Sequence, residues 1–371
     1  MMQSPEAQEQ RLYKNYDTTL ENASAALARD GVATIPGVIS QEDCEHIRAR
    51  IFSELEAVTK NRFQFEKPAT WQQLRRDMNS LHRMLMQNYR LGHMQPIWDL
   101  RQTPSVVACF AKLWNVNPED LITSFDGLSV LLPEPGKPYT AVDTFKLHLD
   151  QGKGSRGLES YQGFITLYPV TENDATLNVL EGSHELHDAY FKAHPNESSF
   201  ALQNPDFYAT KTRKSTKTLG CPNTYVLASA GSLVLWDSRT VHRGSAPALG
   251  HTPATPRMVV YICMTPRAKA SPAMMQKRIR VFEGLRMTGH LPHRVKMFGE
   301  EPRFRARPMT DFDLVGAPVL GRLGRRLVGY DDPNVDAEED EELVKNEEDD
   351  GVEEAGIAKK IRWARIDDDW E

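Results

Sequence analysis

From Leu121 onward the chain is a series of short apolar runs broken by Gly and Pro: LITSFDGLSVLLP, TFKLHL, GFITLYPV, TLNVL, GSLVLW and RMVVYICM. Such runs are short for helices and rich in β-branched and aromatic side chains, so they read as strands. Several short strands in series must bury their apolar faces against one another, which predicts a barrel or a double-sheet jelly roll. Before Leu121 the pattern is mainly helical. SQEDCEHIRARIFSELEAV opens with Ser40 and Asp43 at capping-box-like spacing and carries Ile47, Ile51 and Leu55 on one stripe. A second helix follows Pro104, with Val106, Val107, Phe110, Leu113 and Trp114 on one face. Ahead of both, DGVATIPGVI alternates like a strand and ends at a Pro-Gly turn. No internal repeat is visible.

The chemistry-bearing residues fall inside the strand region. TFKLHLDQG places His148 and Asp150 two apart, and side chains two apart on a strand share a face. A further imidazole, His242 in LVLWDSRTVHRGSAP, follows Asp150 by 92 positions, room for several intervening strands. Arg257 opens the next apolar run 15 positions later. Two histidines and one carboxylate make a ligand set that leaves coordination positions open and suits non-haem Fe(II). A zinc-dependent hydrolase and a catalytically silent ligand-binding protein are the competing readings. Arg257 discriminates against the hydrolase, which has no use for a buried arginine.

In this order and spacing the residues resemble the phytanoyl-CoA dioxygenase-like family of Fe(II)/2-oxoglutarate-dependent oxygenases. YQGFITLYPVTENDATLNVLEGSHELH is also similar to that family, and the resemblance spans residues 30–265, most sharply 145–260. It implies a double-stranded β-helix (jelly-roll or cupin-like) core, with His148, Asp150 and His242 as metal ligands and catalytic residues. Arg257 would hold the distal carboxylate of 2-oxoglutarate. Fe(II), 2-oxoglutarate as co-substrate and O2 are the implied cofactors, with ascorbate a candidate stimulant. The implied reaction is hydroxylation of a small-molecule or acyl-conjugate substrate, giving succinate and CO2. Charge supports the grouping: Fe(II), the Asp150 carboxylate, doubly ionised 2-oxoglutarate and Arg257 sum to zero, so the assembly can be buried without a large penalty. Many relatives carry an aromatic residue where Leu147 precedes the first histidine. Many also carry a hydroxyl residue where Gly244 stands, with Ser245 next to it.

The expected organisation is α+β. Residues 1–118 form a mainly helical N-terminal region, 119–270 the catalytic core, 271–330 a basic extension and 331–371 an acidic, disordered tail. The tail holds 18 acidic and 5 basic side chains, so it carries −13 of a chain whose net charge is −6. The body is therefore about +7, much of it in the arginines of 267–326, which read as a solvated face or an anion-binding one. Few aromatics interleave them, which argues against nucleic acid. No run approaches the roughly 18 apolar residues of a membrane span. MMQSPEAQEQRLYKNYD has no apolar h-region, leading to the expectation of a cytoplasmic protein. Cys44, Cys109, Cys221 and Cys263 are scattered without CxxC pairs and read as ordinary thiols. Oligomeric state leaves no signal.

Other polar candidates have plainer roles. His184 and His187 follow a Gly-Ser turn and read as loop or cap residues. His82, His93, His290 and His293 have no carboxylate at ligand spacing and read as surface or core histidines. Met84, Met86 and Met94 read as core. Lys146 could reach the pocket mouth or extend to water. Gln151 and Arg243 flank ligands and could touch substrate.

Overall fold

The computed structural model describes residues 11–78, 84–140, 147–152, 154–155, 157–193, 221–299 and 307–331. Its strands are β1 (Leu12–Asn15), β2 (Val32–Ile35), β3 (Leu85–Met86), β4 (Leu121–Thr123), β5 (Leu128–Leu131), β6 (Tyr161–Thr166), β7 (Thr176–Leu180), β8 (Asn223–Leu227), β9 (Leu233–Asp237), β10 (His242–Ser245), β11 (Arg257–Tyr261) and β12 (Met264–Pro266). They make a four-stranded sheet, β1-β8-β7-β10, and an eight-stranded sheet along β2-β9-β6-β11-β5-β3, with β12 pairing β4 and β6. Apart from the parallel β1–β8 pair, the strand pairings among the described residues are antiparallel.

Period-two alternation explains how the large sheet serves two layers at once. In β9, Val234 and Trp236 join a buried cluster with Leu177 and Val179 of β7 and Val226 of β8, filling the space between the sheets. Leu233 and Leu235 of the same strand pack on the other side with Ile47, Ile51 and Leu55 of the helix Gln41–Val58 and with Val107 and Phe110 of the helix Pro104–Trp114. Every residue of β9 is buried, as expected of a strand covered on both faces. The cap at Ser40 is formed: its hydroxyl accepts the Asp43 amide at 3.0 Å. Met84, Met86 and Met94 are core, as the sequence suggests.

Differences from expectation are local. TFKLHL is described only from Leu147 on: residues 141–146, including Lys146, lie outside the described residues, and His148 makes an isolated antiparallel bridge to His242. Strands β1 and β8 were not expected from the pattern. β1 lies at a sheet edge with Leu12 exposed, so it lacks an alternating apolar signal. The N-terminal region also donates β2 and β3 to the large sheet. In the basic extension, Arg278 is neither solvated nor an anion site. It is wholly buried on the helix Pro272–Glu283 and donates to the carbonyls of Thr123, Pro292, Leu327 and Val328. Of the tail only Asp331 is described, so the disorder expected there, like His82, lies outside the described residues. No helix among the described residues is long and apolar enough to cross a membrane.

Candidate functional site

His242 begins β10, and its position is set by a turn tied to a glycine. Gly31 ends the helix Ala23–Asp30 in the left-handed region, φ 76°, where glycine carries no steric penalty. Its carbonyl accepts the Asp237 amide at 3.0 Å and the Thr240 hydroxyl at 2.8 Å. The Thr240 carbonyl lies 2.9 Å from His242 Nδ1. A proton on Nδ1 satisfies that contact and leaves Nε2 as the free lone pair, the arrangement a metal-binding imidazole needs.

Backbone bonds of 2.8 and 2.9 Å between His148 and His242 hold the two imidazoles 4.4 Å apart. Asp150 lies between them: Oδ2 is 3.3 Å from His242 Nε2, and Oδ1 is 3.7 Å from His148 Nε2. One potential ligand atom from each of His148, Asp150 and His242 lies within 4.8 Å of the others, the single such cluster among the described residues. Gln162 of β6 donates to Asp150 Oδ2 at 2.8 Å. Burial pushes the Asp150 pKa up, but His290, His148 and His242 together outweigh it and hold the carboxyl well below the usual carboxylate range. Two imidazoles and an ionised carboxylate fit a divalent transition metal with open positions.

Arg257 opens β11, and Val259 and Tyr261 follow on the same face, toward the inter-sheet cluster. Its guanidinium lies over Phe164 at 5.4 Å, donates to the Ala175 carbonyl at 3.0 Å and bonds Tyr261. Tyr261 in turn shares a 2.9 Å hydrogen bond with Ser129. Burial lowers the Arg257 pKa, and among the described residues no carboxylate pairs with it. Its Nε is buried without a partner, as are Gln162 Oε1 and Trp236 Nε1. A buried cation with an unmet donor fits an anionic ligand that brings its own oxygens. Ring contacts connect this arginine to the histidines: Phe164 lies 5.8 Å from Trp236, which lies 5.1 Å from His242. Arginine and His242 therefore border the same cluster of buried side chains between the sheets.

The sequence profile described as phytanoyl-CoA dioxygenase (PhyH) matches residues 27–248. The chain belongs to the phytanoyl-CoA dioxygenase family. It is similar to "Ava biosynthesis cluster protein O" of Aspergillus versicolor, 30% identical over 211 residues that cover 56% of this chain and 66% of that protein. Among solved structures it is similar to GlcNAc Inducible Gene 2 of Candida albicans, with a TM-score of 0.53 at 14% identity over 95% of this chain and 88% of the other. It also matches the non-heme alpha ketoglutarate dependent epimerase SnoN from nogalamycin biosynthesis, with a TM-score of 0.42 at 18% identity over 67% of this chain and 83% of that one.

Residues flanking the cluster have structural duties. Gln151 is buried and ties its loop together through Gly157, Glu159 and Ser238. Arg243 bonds Asn178 and Tyr225. Ser245 donates to the Thr176 carbonyl at 3.1 Å. His184 and His187 bond the carbonyls of Ala28 and Gln151. The reading of His290 and His293 as lacking carboxylate partners is corrected: His290 lies 3.7 Å from Asp150 and His293 lies 3.0 Å from Glu159. Sequence reasoning also missed Gln162 and Tyr261. Each had a signal, as a polar group on the alternating face of an otherwise apolar strand. His290 had none, because it lies in irregular chain 48 positions beyond His242.

Proposed function

We propose that this phytanoyl-CoA dioxygenase family member is an Fe(II)- and 2-oxoglutarate-dependent dioxygenase that hydroxylates a small molecule, its two sheets being the walls of a double-stranded β-helix. His148, Asp150 and His242 hold the metal, and Arg257 pairs with the distal carboxylate of 2-oxoglutarate. The observation that carries the reading is the buried Arg257, with no carboxylate partner among the described residues, bordering the same cluster of buried side chains between the sheets as His242. Fe(II) with 2-oxoglutarate and O2 supplies the oxidation of a carbon–hydrogen bond, inserting one oxygen atom into substrate and one into succinate as CO2 leaves. The chain's own part is placement. Thr240 fixes the His242 tautomer, Gln162 steadies Asp150, and Arg257 with Tyr261 orients the dicarboxylate in a space walled by Phe164 and Trp236. A zinc hydrolase would leave Arg257 without a function. The curated relative's name, a biosynthesis cluster protein, supports a small-molecule substrate within a biosynthetic sequence.

The test is turnover of 2-oxoglutarate by protein loaded with Fe(II) in the presence of O2, ascorbate and bromide. Slow uncoupled succinate formation that needs iron is the expected result. No brominated product should form with any accepted substrate, because Asp150 fills the position a halide would need and its charge disfavours a second anion. Absence of both succinate formation and 2-oxoglutarate binding would favour a ligand-binding protein instead.

A further inference from the structure

The Asp150 carboxylate has a neighbour from outside the family-matched residues. His290 Nε2 lies 3.7 Å from Asp150 Oδ1, the same separation as His148 Nε2 from that oxygen. Gln162 holds the other oxygen at 2.8 Å. Each carboxylate oxygen therefore faces one imidazole of the ligand cluster and one further side chain. His290 is not among the atoms that lie mutually within 4.8 Å, so it stands beside the ligand set. At 3.7 Å its Nε2 lies about 0.5 Å beyond hydrogen-bond range, so a shift of that size in the carboxylate or the ring closes the contact.

Its place in the fold is anchored on both sides. Two residues before it, the Thr288 amide donates to the Phe125 carbonyl at 3.0 Å, and the Thr288 hydroxyl accepts the Phe125 amide at 3.0 Å. Two residues after it, the Pro292 carbonyl accepts from the buried Arg278 guanidinium at 2.8 Å. Next comes His293, 3.0 Å from Glu159 and 3.3 Å from Thr265. Three separate parts of the fold thus hold the segment that presents His290, well past residue 248 where the family match ends.

We propose that His290 is a positioning residue of the metal centre, restraining Asp150 at Oδ1 as Gln162 does at Oδ2, so that the C-terminal extension completes the site. This rests on the reading of His148, Asp150 and His242 as metal ligands. A metal-bound carboxylate is ordinarily steadied by hydrogen-bonding neighbours, and losing one weakens metal binding without removing a ligand.

The test is calorimetric titration of the metal-free full chain with Co(II), alongside melting curves, for wild type, His290→Ala, His290→Gln and His148→Ala. The expected result is Co(II) affinity about 10- to 100-fold weaker in His290→Ala. His290→Gln keeps an N–H donor near the position of Nε2 and should recover most of the loss. Wild-type affinity in His290→Ala overturns the proposal, and so does equal loss in the Ala and Gln variants. His148→Ala is the separate check on the metal centre: wild-type Co(II) affinity there would remove the ligand assignment itself, whereas loss there with no effect at His290 would overturn the positioning role alone.

Discussion

A guanidinium taken out of water needs oxygens around it, and among the described residues Arg257 has only the Ala175 carbonyl and Tyr261 to meet five N–H donors. A bound dicarboxylate would complete that shell, which separates the residue's proposed role from that of the proposed metal ligands. Arg257→Ala should leave Co(II) or Fe(II) affinity close to wild type while weakening 2-oxoglutarate by about 2–5 kcal/mol, or roughly 30- to 5000-fold. Calorimetry on the metal-loaded protein checks this, and equal 2-oxoglutarate affinity in the two proteins would remove Arg257 from the site. A second residue tests electrostatics away from the site. Burial raises the Glu54 pKa to about 7, against the lesser opposing effect of Arg50. The folded state then holds a proton that the unfolded state has lost between the ordinary value of 4.5 and about 7, so the stability Glu54 permits is full below that window and falls as pH rises through it. Glu54→Gln should flatten that decline and raise the melting temperature at pH 8 relative to wild type. A lower melting temperature for the variant at pH 8 would contradict it.

At the scale of elements, legibility followed periodicity. The runs GFITLYPV, TLNVL, GSLVLW and RMVVYICM became β6, β7, β9 and β11–β12; in β6, β9 and β11 alternate residues meet two different apolar layers, and in β7 Leu177 and Val179 meet the inter-sheet one. The helix stripes at Ile47, Ile51 and Leu55 and at Val106, Val107 and Phe110 were legible for the same reason. That His148, Asp150 and His242 come together was legible from residue type and order, but the contacts around them were not. The Thr240 contact with Gly31 and the approach of His290 depend on chain crossings that leave no local pattern. The Gly31 turn gives a prediction at this scale. A Cβ there would lie 2.5 Å from His184 Nδ1 and 2.6 Å from Thr240 Oγ1, in a backbone conformation that costs a side chain about 1–3 kcal/mol. Gly31→Ala should therefore lower the melting temperature and, by displacing Thr240, weaken metal binding as well. A variant that melts like wild type would show that the turn does not depend on the glycine.

For the whole molecule, the extension after β12 is part of the fold. Buried Arg278 joins it to β4 through Thr123, Thr288 joins it to Phe125, and buried Leu327 belongs to the main core. A chain ending at residue 270 should consequently lose cooperative thermal unfolding, because it exposes Trp98 and Phe125, which pack against Phe282. A truncated protein with a sharp, wild-type transition would show the core to be self-sufficient. The same architecture brings His148 and His242 together across 94 positions of chain and sets Arg257 on the facing sheet, so metal and co-substrate binding should be coupled. The most direct measurement is anaerobic binding of 2-oxoglutarate with and without Fe(II), in wild type and in His148→Ala. Binding should be tight only when iron is present, and that iron dependence should be lost in His148→Ala. Binding that is indifferent to iron in the wild type, or no binding with iron present, would contradict it.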